Sequence, residues 1–164
     1  MKSEIRPGIY SVGATDWDVR NFHGYKTQRG STYNAFLIVD EKIVLVDTVK
    51  ADKCDRLLNN ISRIIDPKKI DIVVSNHVEM DHSGALPKIM EIAPKATLMT
   101  SKNGVKGLRK HFKKEWNFQV VGSGDKISIG KRSLQFVNTP MLHWPDSMVT
   151  YVPEERLLFS NDAF

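Results

Sequence analysis

The sequence has few cysteines and no long apolar run. Cys54 is the single cysteine among 164 residues, so an internal disulfide is excluded and a reducing compartment is expected. No apolar run approaches the ~20 residues that a membrane-spanning helix needs, and the opening stretch, MKSEIRPGIYSVG, contains no apolar signal-peptide core. From these absences we expect a cytoplasmic protein that does not enter a membrane.

The charge is mildly basic and its excess is concentrated in one segment. The 24 Lys and Arg residues exceed the 19 Asp and Glu residues by five, and many of them lie in residues 101–116, SKNGVKGLRKHFKKEW. On a helix, this segment would place Val105, Leu108, Phe112 and Trp116 on one apolar stripe, with most basic side chains turned away from it. A solvated helix face and a docking face for an acidic partner both fit this pattern. The segment lacks the interleaved aromatic residues that stack on bases, so nucleic-acid binding is not expected.

Strand-like and helix-like segments alternate in the first half of the chain. TYNAFLIVD and KIVLVDT predict an antiparallel strand pair, and DKCDRLLNNISRII predicts a helix that ends at Asp66-Pro67. KIDIVVS predicts a buried strand, GALPKIMEIA a second helix and ATLMTS a further strand. After the basic helix, FQVVG, KISIG, RSLQFVNT, MVTYV and RLLFSN predict successive strands.

This order predicts an α/β fold with a mixed sheet that is covered by helices. Only three helices accompany about nine strands, so one sheet face is expected to lack its cover. That imbalance suggests an incomplete chain.

The stretch SNHVEMDHSG, residues 75–84, brings His77, Glu79, Asp81 and His82 within six positions. Two carboxylates this close repel each other when buried unless a positive charge lies between them. A bound cation would supply that charge, whereas a solvent-exposed loop would not need it. Alternation along an extended segment predicts that residues 77, 79 and 81 face one cavity, and the adjacency of Asp81 and His82 suggests two neighbouring metal ions.

Two further candidate ligands follow apolar runs later in the chain. His143 comes after LQFVNTPML and Asp162 after RLLFSN, and sites in α/β sheets form where strands end. His143 could instead be a packed histidine, and Asp162 a solvated carboxylate. A set of imidazoles and carboxylates without thiolates suits iron, manganese or zinc and not the soft copper-type sites.

The motif H-x-E-x-D-H, followed by a distant His and then an Asp, resembles the flavodiiron proteins, also called A-type flavoproteins. These are built on the metallo-β-lactamase fold. FHGYKTQRGSTYNAFLI, VLVDTV, TPMLHWPDSM and LFSNDAF also look like the N-terminal domain of that family. The resemblance implies an αββα sandwich with mixed sheets, in which residues 1–164 are the N-terminal portion of the diiron domain. The rest of that domain, with its last histidine ligand, and a flavodoxin-like domain would be missing.

The resemblance also implies a role for each candidate residue. His77, Glu79 and His143 would hold one iron, Asp81 and His82 would belong to a second iron, and Asp162 would bridge the pair. Three more residues would assist: Asp47 by orienting a ligand imidazole, and His23 and Tyr25 by lining the substrate pocket.

The activity implied by the family is reduction of O2 to water or of NO to nitrous oxide at a non-haem diiron centre. Electrons would come from FMN on the absent flavodoxin-like domain, fed by rubredoxin or another electron donor. We also expect a homo-oligomer. Because the flavin would be missing, the chain alone is not expected to turn over.

Two other functions remain open from the sequence. A zinc-dependent hydrolase of the same fold is one, although the hydrolytic relatives carry His where this chain has Glu79. The other is a metal-empty fragment whose exposed sheet pairs with a second copy. Cys54, in the middle of a predicted helix, is interpreted as a structural residue.

Overall fold

The computed structural model describes residues 3–163, which form fifteen β-strands and four α-helices. The strands are β1 (Ser3–Arg6), β2 (Ile9–Ser11), β3 (Ala14–Asp16), β4 (Asn21–Phe22), β5 (Tyr25–Lys26), β6 (Ser31–Tyr33), β7 (Phe36–Val39), β8 (Ile43–Val46), β9 (Ile72–Ser75), β10 (Thr97–Thr100), β11 (Phe118–Val120), β12 (Lys126–Ser128), β13 (Ser133–Asn138), β14 (Met148–Val152) and β15 (Leu157–Phe159). The helices are α1 (Cys54–Ser62), α2 (Met80–Ser83), α3 (Leu86–Ile92) and α4 (Lys102–Phe112).

Two sheets dominate the fold. The larger has seven strands in the order β1-β2-β7-β8-β9-β10-β11. The pairs β1–β2, β2–β7 and β7–β8 are antiparallel, whereas the pairs β8–β9, β9–β10 and β10–β11 are parallel. The smaller sheet, β12-β13-β14-β15, is wholly antiparallel. The predicted mixed sheet is therefore confirmed, as is the predicted pairing of β7 with β8.

Two apolar cores lie on opposite faces of the seven-stranded sheet. Leu37 and Leu45 face α1, α3 and α4 in the first core, while Ile38 and Val44 face the smaller sheet and its Phe136 in the second. Successive side chains of a strand point to opposite faces, so one strand serves both cores. The α-helices contribute only to the first core, which makes the order of layers helix, large sheet, small sheet.

The outer face of the small sheet carries exposed apolar side chains, including Val137 and Leu158. Within residues 3–163, no α-helix contributes to a core on that side. The expectation that one sheet face lacks helical cover is thus confirmed for the described residues.

The basic segment forms α4, but the helix is shorter than predicted. It ends at Phe112, because Lys113 adopts a left-handed conformation with φ of 53°. The prediction that Trp116 lies on this helix is therefore wrong. Its ring still packs 5.6 Å from that of Phe112, since the chain turns back there toward β11.

Candidate metal centre

The segment after β9 carries four of the predicted site residues. β9 ends at Ser75, Glu79 still has extended backbone angles, and α2 begins at Met80. Alternation along an extended chain therefore no longer applies to Asp81, which lies on a helix. Asp81 still reaches the cavity, where it forms one group of neighbouring donor atoms with His23 and Glu79 and another with His82 and Asp162.

A first ligand group consists of His77, Glu79, His143 and Asp162, whose donor atoms all lie within 4.8 Å of one another. Nε2 of His77 and Nε2 of His143 each lie 3.1 Å from Oε2 of Glu79. Nε2 of His143 lies 3.5 Å from Oδ2 of Asp162. Residues that are 85 positions apart in sequence, from 77 to 162, thus converge on one point.

A second ligand group consists of Asp81, His82 and Asp162. Nε2 of His82 lies 3.1 Å from Oδ2 of Asp81 and 3.1 Å from Oδ1 of Asp162. Asp162 is therefore a member of both groups. The first and second groups are adjacent and joined by one carboxylate, an arrangement that could hold two cations side by side.

The carboxylates of both groups lack the usual cationic partners. In residues 3–163, no Lys or Arg forms an ion pair with Glu79, Asp81 or Asp162, and their charged contacts are all with histidines. Oδ1 of Asp81 is buried and has no hydrogen-bond partner among the described residues. A buried oxygen without a partner is costly, and a bound cation would satisfy it. The donor set therefore fits a metal.

The electrostatics of the second group reflect this crowding of carboxylates. Burial by itself would lower the pKa of His82, but hydrogen bonds to Asp162 and Asp81 and the charge of Asp47 raise it to about 10. The hydrogen bond from His82 in turn lowers the pKa of Asp162. In the absence of a metal, a protonated imidazole thus neutralises part of the negative charge.

His23 and Tyr25 lie in different surroundings. His23 sits at the tip of the β4–β5 hairpin with φ of 51°, followed by Gly24 with φ of 83°, and its Nδ1 lies 2.6 Å from Oε1 of Glu79. Tyr25 is 76% exposed, and its side chain makes no hydrogen bond to the ligand groups in the described part of the chain. The structure brings His23 to the site and leaves Tyr25 outside it.

Asp47 forms hydrogen bonds to two asparagines near the ligand groups. Its carboxylate accepts hydrogen bonds from the backbone and side chain of Asn76, at 2.8 and 2.9 Å, and from Nδ2 of Asn161 at 3.1 Å. The described contacts of Asp47 include no hydrogen bond to an imidazole. Instead, Nδ2 of Asn161 lies 3.1 Å from Nδ1 of His82.

Asp146 is the residue that the sequence analysis missed. Its Oδ2 lies 3.0 Å from Nδ1 of His77 and accepts a hydrogen bond from the backbone N–H of Val78 at 2.9 Å. Burial alone would raise the pKa of Asp146, but the hydrogen bond and charge of His77 lower it below its ordinary value. The available signal was its position in HWPDSM, three residues after His143. The neighbouring Trp144 places its ring edge-on to His77, 5.1 Å away.

Strained backbone is concentrated at the site. Among the described non-glycine residues with positive φ are His23, Asp47, His143 and Asn161, at 51°, 57°, 118° and 50°. Such conformations cost free energy and tend to occur where function requires them. His143 is the most unusual, because 118° lies outside the small left-handed region that side chains tolerate.

An open groove of about 670 Å³ lies beside the first ligand group. Its lining residues are His23, Val78, Glu79, Met80, Gly107, Lys110, His111 and Trp144. The groove thus connects the exposed side of Glu79 with the basic face of α4. His111 is exposed and lines this groove.

None of the helices in the described part of the chain combines the length and apolar character needed to cross a membrane.

A family model, a related sequence and two solved structures all match this chain and indicate the same family. The model of the ODP family beta lactamase matches residues 32–164. A nitric oxide reductase of Moorella thermoacetica is 51% identical over 163 residues, which cover 98% of this chain and 41% of that protein.

Two solved structures superpose closely. The rubredoxin oxygen:oxidoreductase of Desulfovibrio gigas has a TM-score of 0.93 at 48% identity, over 96% of this chain and 40% of that one. The flavodiiron protein of Giardia intestinalis has a TM-score of 0.96 at 39% identity, over 100% and 40%. The chain therefore spans about two fifths of the length of these relatives. With a family model matching most of its residues, this chain belongs to the ODP family of beta-lactamase-fold proteins, the family of the flavodiiron proteins.

Proposed function

We propose that this chain is the diiron-binding part of a reductase that converts O2 to water or NO to nitrous oxide. The observation that carries the proposal is the pair of adjacent ligand groups joined by Asp162. The relatives named nitric oxide reductase and rubredoxin oxygen:oxidoreductase support the choice of substrates. When bound, two neighbouring ferrous ions would together supply electrons to one substrate molecule.

The proposed ligands follow the two groups. His77, Glu79 and His143 would hold one iron, Asp81 and His82 the other, and Asp162 would bridge them. Three carboxylates and three imidazoles are hard and borderline ligands that suit iron. Glu79 adds negative charge that offsets the charge of an oxidised metal, and this favours iron over the zinc of hydrolytic relatives.

The surrounding residues would orient and shield the site. Asp146 fixes the ring of His77, and Trp144 packs against that ring from the side. His23 reaches the opposite oxygen of Glu79 from the hairpin tip. From there it could donate a hydrogen bond to a substrate that binds next to Glu79. A pocket role for Tyr25 stays a prediction, and its exposure gives it no support.

Electrons would enter through the groove beside Glu79. Its walls are largely apolar, with Val78, Met80 and Trp144 on them, and Lys110 and His111 lie at one side. A planar flavin such as FMN, carried by the flavodoxin-like domain of the intact protein, would fit this combination of apolar walls and basic rim. The relative named for rubredoxin supports a rubredoxin-type donor to that flavin.

The remaining assignments are also part of this proposal. Residues 1–164 would be the N-terminal portion of the metallo-β-lactamase-like diiron domain, as the coverage of about two fifths of each relative suggests. The intact protein would be a cytoplasmic homo-oligomer that receives its electrons from a soluble donor.

The identity of the bound metal tests the proposal. The chain would be produced in medium containing both iron and zinc, and the metals that co-purify would be quantified by mass spectrometry. We expect iron to predominate and the oxidised protein to absorb in the near-ultraviolet as bridged diferric centres do. Zinc alone, together with hydrolysis of a β-lactam or thioester, would contradict the proposal and favour the hydrolase.

A further inference from the structure

Asp146 and His77 form a buried pair that ties two distant segments together. The side chain of His77 is fully buried and that of Asp146 is 7% exposed. Oδ2 of Asp146 lies 3.0 Å from Nδ1 of His77 and accepts a hydrogen bond from the backbone N–H of Val78 at 2.9 Å. An ionised carboxylate can only accept hydrogen bonds, so Nδ1 must be the donor.

Residues at the start of α4 form hydrogen bonds to the backbone of the loop that carries Asp146. Its carbonyl oxygen accepts a hydrogen bond from Oγ of Ser101 at 2.8 Å, and the same Oγ caps the helix by accepting from the N–H of Gly104 at 2.9 Å. Nδ2 of Asn103 donates to the carbonyl oxygen of Pro145 at 3.0 Å. The loop that carries Asp146 therefore cannot shift without disturbing a helix N-terminus.

We propose that Asp146 is the positioning residue of His77: it accepts a hydrogen bond from Nδ1, so that Nε2, which lies 3.1 Å from Oε2 of Glu79, is the nitrogen left to bind a metal ion. The inference rests on the proposed function in one respect, namely that Nε2 of His77 is a metal ligand. Hydrogen bonding at one ring nitrogen sets which nitrogen is available to a metal, and it raises the basicity of the ligand.

The contacts distinguish this role from a purely structural one. Within residues 3–163, the charged partner of Asp146 is His77, and no Lys or Arg forms an ion pair with the carboxylate. The edge of Trp144 packs against the same ring, so the orientation of His77 is restrained on two sides. If Asp146 served only the stability of the fold, its charged carboxylate would not need to lie at Nδ1 of His77, the ring nitrogen that faces away from the other ligands.

The first test needs no metal. The chain would be labelled with 15N at histidine, and His77 would be assigned by comparison with His77→Gln. In the neutral ring, long-range 1H–15N correlations should show the proton on Nδ1 of His77. In Asp146→Ala we expect a mixture of the two tautomers. A wild-type ring with its proton on Nε2, or an unchanged tautomer in Asp146→Ala, would overturn the inference.

The second test measures affinity for ferrous iron under anaerobic conditions. Asp146→Asn keeps the size of the side chain and removes its charge, and Asp55→Asn, exposed on α1, is the matched control. We expect Asp146→Asn to weaken one of two iron-binding steps by about 10–100-fold and to leave the other, and the control, unchanged.

Wild-type affinity at both steps in Asp146→Asn would refute the positioning role, even if the melting temperature fell. If the wild-type chain bound no iron at all, the proposed function would fail. The tautomer measurement would then still decide whether Asp146 positions His77.

Discussion

The two ligand groups share Asp162 but differ in the residue that contacts Nδ1 of His77 in the first group and Nδ1 of His82 in the second. In the first group, the far nitrogen of His77 meets the buried carboxylate of Asp146. In the second group, the far nitrogen of His82 meets the neutral amide of Asn161, 3.1 Å away. A carboxylate that accepts a hydrogen bond from the far nitrogen makes a ligand imidazole more basic, whereas an amide N–H that donates to the far nitrogen does not. We therefore expect the first group to bind metal more tightly than the second.

The supports of the two groups also differ in rigidity. The first group is buttressed by the N-terminus of α4 through Ser101. The second depends on the short 3-10 turn Asn161–Ala163 after β15, where the side chain of Asp162 is 35% exposed. Both histidines lie on one segment of six residues, yet their surroundings come from different parts of the chain. Ligand identity alone does not determine how well a site is preorganised.

The largest effect should come from the carboxylate that both groups share. Asp162→Ala removes one ligand from each group. It should therefore weaken metal binding more than the removal of a residue that only contacts a ligand. We expect the affinity for ferrous iron to fall by more than about 100-fold at each step, measured by anaerobic titration. Asp55→Ala on the exposed face of α1 is the control. A variant that still bound two irons tightly would show that Asp162 is not a shared ligand.

The second prediction concerns the metal-free chain, where His82 carries the compensating charge. Its folded pKa of about 10 lies above the ordinary 6.5. The stabilisation is therefore fully present below pH 6.5 and is lost as pH rises through about 10. We expect the free energy of unfolding to fall over this window by about 3 kcal/mol, after a reduction for partial solvent screening.

Urea unfolding at a series of pH values measures this loss. His82→Gln should flatten the dependence between pH 6.5 and 10, whereas the exposed His111→Gln should not. If wild-type stability were independent of pH in this window, the charged pairs of His82 with Asp81 and Asp162 would not form in solution.

A smaller effect should separate the two groups. Asn161→Ala removes the amide between Asp47 and His82, so the second iron should bind about 10-fold more weakly while the first is unaffected. Calorimetric titration with ferrous iron resolves the two steps, and the exposed Asn59→Ala serves as control. Equal weakening of both steps would mean that the two groups are not independently supported.

The smallest effect should come from the groove that leads to the first group. Lys110→Glu reverses a charge at its rim, which should slow electron delivery from an acidic donor by about 2–10-fold at low salt. Stopped-flow reduction of the intact protein would measure this, with Lys95→Glu, exposed and outside the groove, as control. Identical rates at every ionic strength would exclude a docking role for this face.

Local patterns predicted much of the fold. The β7–β8 pair, the buried β9 and the helices α1 and α3 follow from short-range periodicity, because each buries a regular apolar face. The ends of elements were harder to predict. Nothing in HFKKEW indicates that Lys113 turns left-handed, since that turn is imposed by the return of the chain into β11.

The site divides in the same way. His77, Glu79, Asp81 and His82 could be proposed from one short motif because they are neighbours in sequence. Asp146 lies 69 positions from its partner, and only the fold brings them together. His23 was named from resemblance. Its contact with Glu79 depends on the hairpin of β4 and β5, and these two-residue strands are too short to show a recognisable periodicity.

The central claim is that two irons lie on either side of Asp162. Anomalous diffraction at the iron absorption edge, from a crystal of the iron-loaded chain, tests it most directly. We predict two peaks, one among His77, Glu79 and His143 and one beside Asp81 and His82, with the Asp162 carboxylate between them. A single peak away from Asp162, or peaks elsewhere in the fold, would contradict the account.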